Sequence, residues 1–175
     1  MAQHSSVQPD MPARRSFGSG GFVGKFLEAQ NKVYPQVLHE LRAGQKRTHW
    51  MWFIFPQIAG LGRSATARHF AIEDIEQARA YLAHPILGAR LRECSQAMLL
   101  HAPDAAAPRL LQQILGTPDD LKFHSSMTLF HRADPHEPVF ARALHSFFRG
   151  RGDQATLDLL AGDADQPALP TGRDG

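Results

Sequence analysis

Three short polar clusters carry residue types from which a binding or catalytic site can be built. The first is Lys46-Arg47-Thr48-His49, which runs straight into Trp50-Met51-Trp52-Phe53-Ile54-Phe55-Pro56. Two cations, a hydroxyl and an imidazole ahead of apolar rings suit the lip of a pocket, with rings as walls and cations to attract an anion. Imidazole changes charge near neutral pH, so His49 is the acid–base candidate of the set. The same residues also have a plain structural use. Lys46 and Arg47 can be solvated after a helix end, Trp50 and Trp52 can be core, and His49 can be a hydrogen-bond partner.

The second cluster is Gln57-Ile58-Ala59-Gly60-Leu61-Gly62-Arg63-Ser64. Gly60 and Gly62 let the backbone bend and approach a ligand. Ser64 can cap the next helix, whose free amides attract phosphate or carboxylate, and Arg63 would add a cation. The stretch lacks the dinucleotide-binding glycine spacing and the Walker lysine, so an ordinary turn and cap is the competing reading. The third cluster is Asp119-Asp120-Leu121-Lys122-Phe123-His124-Ser125-Ser126-Met127-Thr128. On a helix Lys122 neighbours Ser125 and Ser126, while Thr128 points elsewhere. Small polar residues inside a helix imply a close neighbouring helix or a polar pocket wall. A lysine can activate a serine, although this spacing reverses the familiar Ser-x-x-Lys order. Among the histidines, His124 and His131 can share a helix face and His145 can approach them, but no zinc-binding spacing occurs. Cys94 falls on an apolar stripe and reads as a buried, inert thiol.

The elements that must position these groups are mostly helical. Phe26, Leu27, Gln30, Val33, Tyr34, Val37, Leu38 and Leu41 recur at three- and four-residue steps. Pro35 interrupts them, which predicts two short helices or one kinked helix ending at Gly44. Asp74 and Gln77 form a capping-box pattern ahead of Ile75, Ala78, Tyr81 and Leu82. Pro85 opens the next helix, with the stripe Ile86, Leu87, Leu91, Cys94, Met98 and Leu99. Asp104 starts another through Leu110, Leu111, Ile114 and Leu115, closed by Gly116. Thr117-Pro118-Asp119-Asp120 and Asp134-Pro135-His136-Glu137 read as two further helix starts, each with a cap, a proline and acids near the positive dipole end. A last helix spans 154–161, closed by Gly162. The aromatic run at 50–56 leans extended on its aromatic and β-branched content. The expected fold is therefore mainly α: a single-domain bundle of about six to eight short helices with one short extended aromatic segment, over residues 25–162. Residues 1–24 and 163–175 have the composition of a disordered leader and tail.

The run Lys46–Gln57 and the Gly60-Leu61-Gly62-x-Ser64 turn resemble an uncharacterised bacterial family, domain of unknown function 1810, some of whose members are mislabelled as calpastatin. So do Ala80–Pro85 with Leu87-Gly88-x-Arg90-Leu91-x-Glu93-Cys94, Pro118–Lys122, and Ser125-Ser126-Met127-Thr128-Leu129-Phe130. The similarity covers about residues 25–160. It implies a mainly α-helical single domain and brings no substrate or catalytic residue with it. Thr48 stands where many members carry Ser, which keeps a hydroxyl, and His124 occupies a variable slot.

The 175 residues carry 19 Lys+Arg against 17 Asp+Glu, a net +2 that is too balanced for nucleic-acid binding by bulk charge. One cysteine excludes an internal disulfide and fits a reducing, cytoplasmic home. No apolar stretch reaches membrane-spanning length. No motif for a redox cofactor or metal occurs. The expected function is binding of a small anionic molecule, nucleotide- or phosphometabolite-like, in a polar and aromatic cleft. Lys46, Arg47, His49, Trp50, Trp52, Gln57, Gly60, Gly62, Arg63, Ser64, Lys122, Ser125 and Ser126 would surround it. The alternative is a non-catalytic interaction or regulatory module, and whether the chain is an enzyme stays open.

Overall fold

The computed structural model describes residues 19–164. Among these, nine helices follow in order: α1 (Ser19–Ala43), α2 (Met51–Ile54), α3 (Ala65–His69), α4 (Ile75–Ala83), α5 (Leu87–Leu99), α6 (Leu111–Leu115), α7 (Asp119–Ala133), α8 (Pro138–Phe148) and α9 (Gln154–Ala164). An isolated parallel bridge joins Ile58 to Ile72, and the described residues contain no strand. The mainly α single domain agrees with the periodicity of the sequence. The count exceeds six to eight because α2, α3 and α6 are helices of only 4, 5 and 5 residues.

The centre of the molecule is α7, which packs against α4, α6, α8 and α9, while α5 packs against α1, α4 and α8. Phe123 and every residue from Ser125 to Phe130 are buried. A helix covered on nearly all sides has no solvent face to give its polar residues. That is why Ser125, Ser126 and Thr128, small enough for close neighbours, occupy its interior. Tyr81 ties the layers together. Its ring lies 5.1 Å from Phe26 and 5.3 Å from Phe130, and its hydroxyl accepts from the Gln30 amide at 3.0 Å.

Helix α1 is a single helix that continues through Pro35, which is exposed. A prolyl ring removes one backbone donor, and the carbonyl left unpaired, on exposed Asn31, can turn to water. The helix stops at Gly44, whose φ of +67° is the left-handed conformation that closes a helix end. It begins at Ser19, inside the span whose composition reads as leader, because Phe22 and Val23 pack onto the core. Residues 1–18 and 165–175 lie outside the described residues.

Several sequence expectations are corrected. The aromatic run is not extended: Met51–Ile54 form a helical turn, so Trp50, Met51, Ile54 and Phe55 are buried while Trp52 and Phe53 stay half-buried. Tertiary burial decides the conformation where aromatic propensity leaned the other way. The helix expected from Asp104 is confined to Leu111–Leu115. Residues Ala105-Ala106-Ala107 offer little to bury, and Pro108 disfavours the helical conformation at Ala107. Helix α7 starts at Asp119 with Pro118 outside it, one residue later than the proline rule places it. Helix α9 passes through Gly162 to Ala164, a glycine cost of about 1 kcal/mol that the packing of Leu159 and Leu160 can absorb.

The α4 cap follows the sequence closely, whereas α8 starts at Pro138, three residues after the Pro135 start that the sequence predicts, and α5 starts at Leu87, beyond Pro85. Asp74 Oδ1 accepts from the Gln77 amide at 2.7 Å, and Gln77 Oε1 in turn accepts from the Glu73 amide at 2.8 Å. Glu137 caps α8 by accepting from the Val139 amide, while Asp134 accepts from the His136 amide in the turn before it.

Candidate functional site

The first cluster is shaped by a residue outside it. Glu40, on the last turn of α1, is 1% exposed. Its carboxylate accepts from the backbone amides of Arg47 and Thr48, the Thr48 hydroxyl at 2.7 Å and the Trp50 indole at 2.9 Å. Burial pushes the Glu40 carboxyl up, but these donors, with the Gln36 amide, outweigh it and hold the pKa at about 2. The chain from Arg47 to Trp50 is thereby wrapped around one carboxylate. Trp50 goes into the core, and Trp52 is left half-buried at the surface.

The wrapping brings the first and third clusters together. Lys46 Nζ lies 2.8 Å from Asp119 Oδ2, and Lys122 Nζ donates to Asp119 Oδ1 at 2.9 Å. Each ammonium also sits over an indole: Lys46 is 5.4 Å from the Trp50 ring centre and Lys122 is 4.7 Å from that of Trp52. The side chains are only 11% (Lys46), 15% (Asp119) and 22% (Lys122) exposed. Burial pushes the Asp119 carboxyl up, but the hydrogen bonds from Lys46 and Lys122 win and lower its pKa. Two cations thus share the Asp119 carboxylate beside two aromatic faces, and the buried carboxylate of Asp120 follows in the same turn of α7. Asp119 reads from sequence only as a helix-start acid. The signal for its second job is the three-residue spacing to Lys122. The signal for Glu40 is its place three residues after Val37, on the buried stripe of α1.

The other predicted residues divide. Arg47 and His49 are exposed beside this cluster in sequence, and the Arg47 guanidinium donates to Gln45. Ser125 is occupied: its hydroxyl lies 3.1 Å from the Leu121 carbonyl and 3.3 Å from Asp153 Oδ2. Asp153 in turn caps the start of α9 through the Thr156 amide, and its own amide donates to the Thr128 hydroxyl. These bonds dock α9 onto α7. The Ser126 hydroxyl is fully buried and has no partner among the described residues. Lys122 bonds neither serine; its ammonium is held by Asp119.

The second cluster makes a turn and a short cap. Gln57 and Ala59 exchange backbone hydrogen bonds with Ile72, which pins the loop. Gly60 has φ +100°, and a Cβ there would meet Leu159 at 3.3 Å. Where Gly62 approaches α3, a Cβ would fall 2.4 Å from that of Ala67. Ser64 accepts from the Ala67 amide at 3.1 Å, and the Arg63 carbonyl accepts from Arg68. Among the described residues no hydrogen bond or ion pair joins Gln57, Arg63 or Ser64 to the lysine cluster.

The histidines separate as well. His124 stacks on Phe148 at 3.8 Å and bonds the Arg151 carbonyl. His131 and His145 instead line a cavity of about 670 Å3 between α7, α8 and the start of α9. None of the residues expected to bind a ligand lines that cavity. No group of three or more metal-binding side chains occurs among the described residues. Cys94 is buried, and desolvation raises its thiol to about 12.

This arrangement defines a helical domain with a half-buried lysine cluster against a tryptophan face. The family described as "Protein of unknown function (DUF1810)" matches residues 22–160. The chain belongs to that family, as its sequence motifs suggest. A solved structure, the conserved hypothetical protein Rv1873 from Mycobacterium tuberculosis, is 45% identical, with a TM-score of 0.75 over 81% of this chain and 97% of that one. A search of curated proteins finds no match.

Proposed function

We propose that this protein binds a small anionic molecule, nucleotide- or phosphometabolite-like, at the Lys46–Asp119–Lys122 cluster. The carrying observation is that two ammonium groups, mostly removed from water, share a single carboxylate. A phosphate at the cluster would accept charge-assisted hydrogen bonds from them. Half-buried Trp52 offers a ring for a flat or apolar part of the ligand, and exposed His49 and Arg47 follow Lys46 in the chain. Gln57, Gly60, Gly62, Arg63 and Ser64 play no part in this reading; their contacts are those of a turn and a helix cap. The large apolar side chains most exposed to water are Leu110, just before α6, and Leu121, on the first turn of α7, ahead of Leu100 and Ile86. Among the described residues no helix is long and apolar enough to cross a membrane. A cytoplasmic location suits the single buried thiol.

The test is a thermal-shift screen against nucleoside phosphates and sugar phosphates. A ligand at about 100 times its Kd adds about 2.7 kcal/mol of stability. A hit retained by wild type and lost in Lys122→Gln supports the site. A library without hits, or a hit indifferent to Lys46 and Lys122, rejects it.

A further inference from the structure

We infer that the cavity between α7, α8 and the start of α9 is a second binding site, built for an aliphatic oxyanion. The inference stands apart from the lysine cluster, with which the cavity shares no lining residue. Its volume of about 670 Å3 falls within the range of small-molecule sites, roughly 300–1,000 Å3.

The wall is cationic. Arg132 of α7 and Arg142 of α8 supply two guanidiniums, His131 and His145 two imidazoles, and Asp104 one carboxylate. Among the described residues none of these five makes an ion pair. Arg42, Arg79 and Arg92 do pair, with Glu93, Glu76 and Glu137, whereas Arg132 and Arg142 are among the arginines that make no ion pair among the described residues. The two cavity arginines come from helices packed on each other, so both can reach one planar anion in the forked geometry guanidinium favours. His131 adds unmet capacity, because its buried Nδ1 has no partner among the described residues.

The rest of the lining names the body of the ligand. Leu99, Leu144 and Leu157 contribute apolar surface, and no phenylalanine, tyrosine or tryptophan lines the cavity. A nucleobase would find no aromatic face to stack on, whereas an alkyl chain ending in carboxylate or phosphate meets matching surface at both ends. This chemistry separates the cavity from the lysine cluster with its indole rings.

Titration calorimetry of the full chain with hexanoate, hexyl phosphate and hexanol tests the inference. At least one of the two anions should bind saturably, and hexanol at least tenfold more weakly. The better anion then identifies the head group. An Arg132→Gln/Arg142→Gln double variant changes exposed side chains, and its circular dichroism and Tm should match wild type. It should lose at least tenfold in affinity, while a Lys46→Gln/Lys122→Gln variant should lose less than twofold. Failure of both anions to bind at millimolar concentration overturns the inference, as does equal binding of hexanol. Loss of binding in the lysine variant alone also overturns it, and moves the anion to the lysine cluster. A nucleotide that binds the lysine cluster while both hexyl anions fail leaves the proposed function standing and this inference rejected.

Discussion

At the residue scale, two carboxylates organise the site, and each makes a prediction. Glu40 is buried and receives donors from four other residues. Glu40→Gln removes the charge from that network and should cost about 1–3 kcal/mol in urea unfolding. Because the folded pKa of Glu40 lies near 2, below its ordinary 4.5, its contribution is fully present above pH 4.5 and is lost as pH falls through 2. The stability gap between wild type and Glu40→Gln should therefore narrow from pH 5 to pH 2; a gap constant over that range would exclude this linkage. Asp119 is the shared counter-ion of two lysines. Asp119→Asn leaves both ammoniums facing each other and should cost about 2 kcal/mol. Lys122→Gln should cost less than about 1 kcal/mol, since Asp119 keeps Lys46. The order of the two in denaturant unfolding checks the geometry.

At the element scale, the helices and most of their ends were legible because periodicity and caps are local signals. The Asp74–Gln77 cap and the Gly44 stop stand where sequence grammar places them. The turn at Met51–Ile54 was not legible, since Trp50 is drawn inward by Glu40, ten positions earlier in the chain. Nor was the loss of helix after Asp104, where a cap is present but no apolar face follows it. The α4–α5 turn gives a sharper test. A Cβ on Gly88 would lie 2.1 Å from the Leu82 carbonyl oxygen, a backbone atom that cannot swing away. Gly88→Ala should lower stability by about 3 kcal/mol, read as a fall in Tm. An unchanged Tm would mean that the two helices do not meet this closely. Asp74→Ala should cost about 1 kcal/mol through its lost cap.

At the scale of the whole molecule, the candidate site was half legible. Lys46 and Lys122 are 76 positions apart in the chain, and nothing local to either says that they share Asp119. The aromatic and basic composition around each did mark both. The glycine-rich stretch carried equally suggestive residue types, yet its serine and glycines are spent on holding α3 and receiving α9. The cavity arginines were invisible for the opposite reason: Arg132 and Arg142 sit in no motif, and only the packing of α7 on α8 brings them to one wall. Residue type names the chemistry available, while the long-range packing decides which groups remain free to use it.

The central claim is that the paired lysines, with their one aspartate, hold an anion against Trp52. Titration calorimetry with a nucleoside diphosphate, run in parallel on wild type, Lys46→Gln/Lys122→Gln and Trp52→Ala, tests it most directly. The account predicts saturable binding to wild type, at least tenfold weaker binding to the lysine variant, and a smaller loss on removal of the indole. Absence of binding to wild type, or equal affinity for all three proteins, would contradict it.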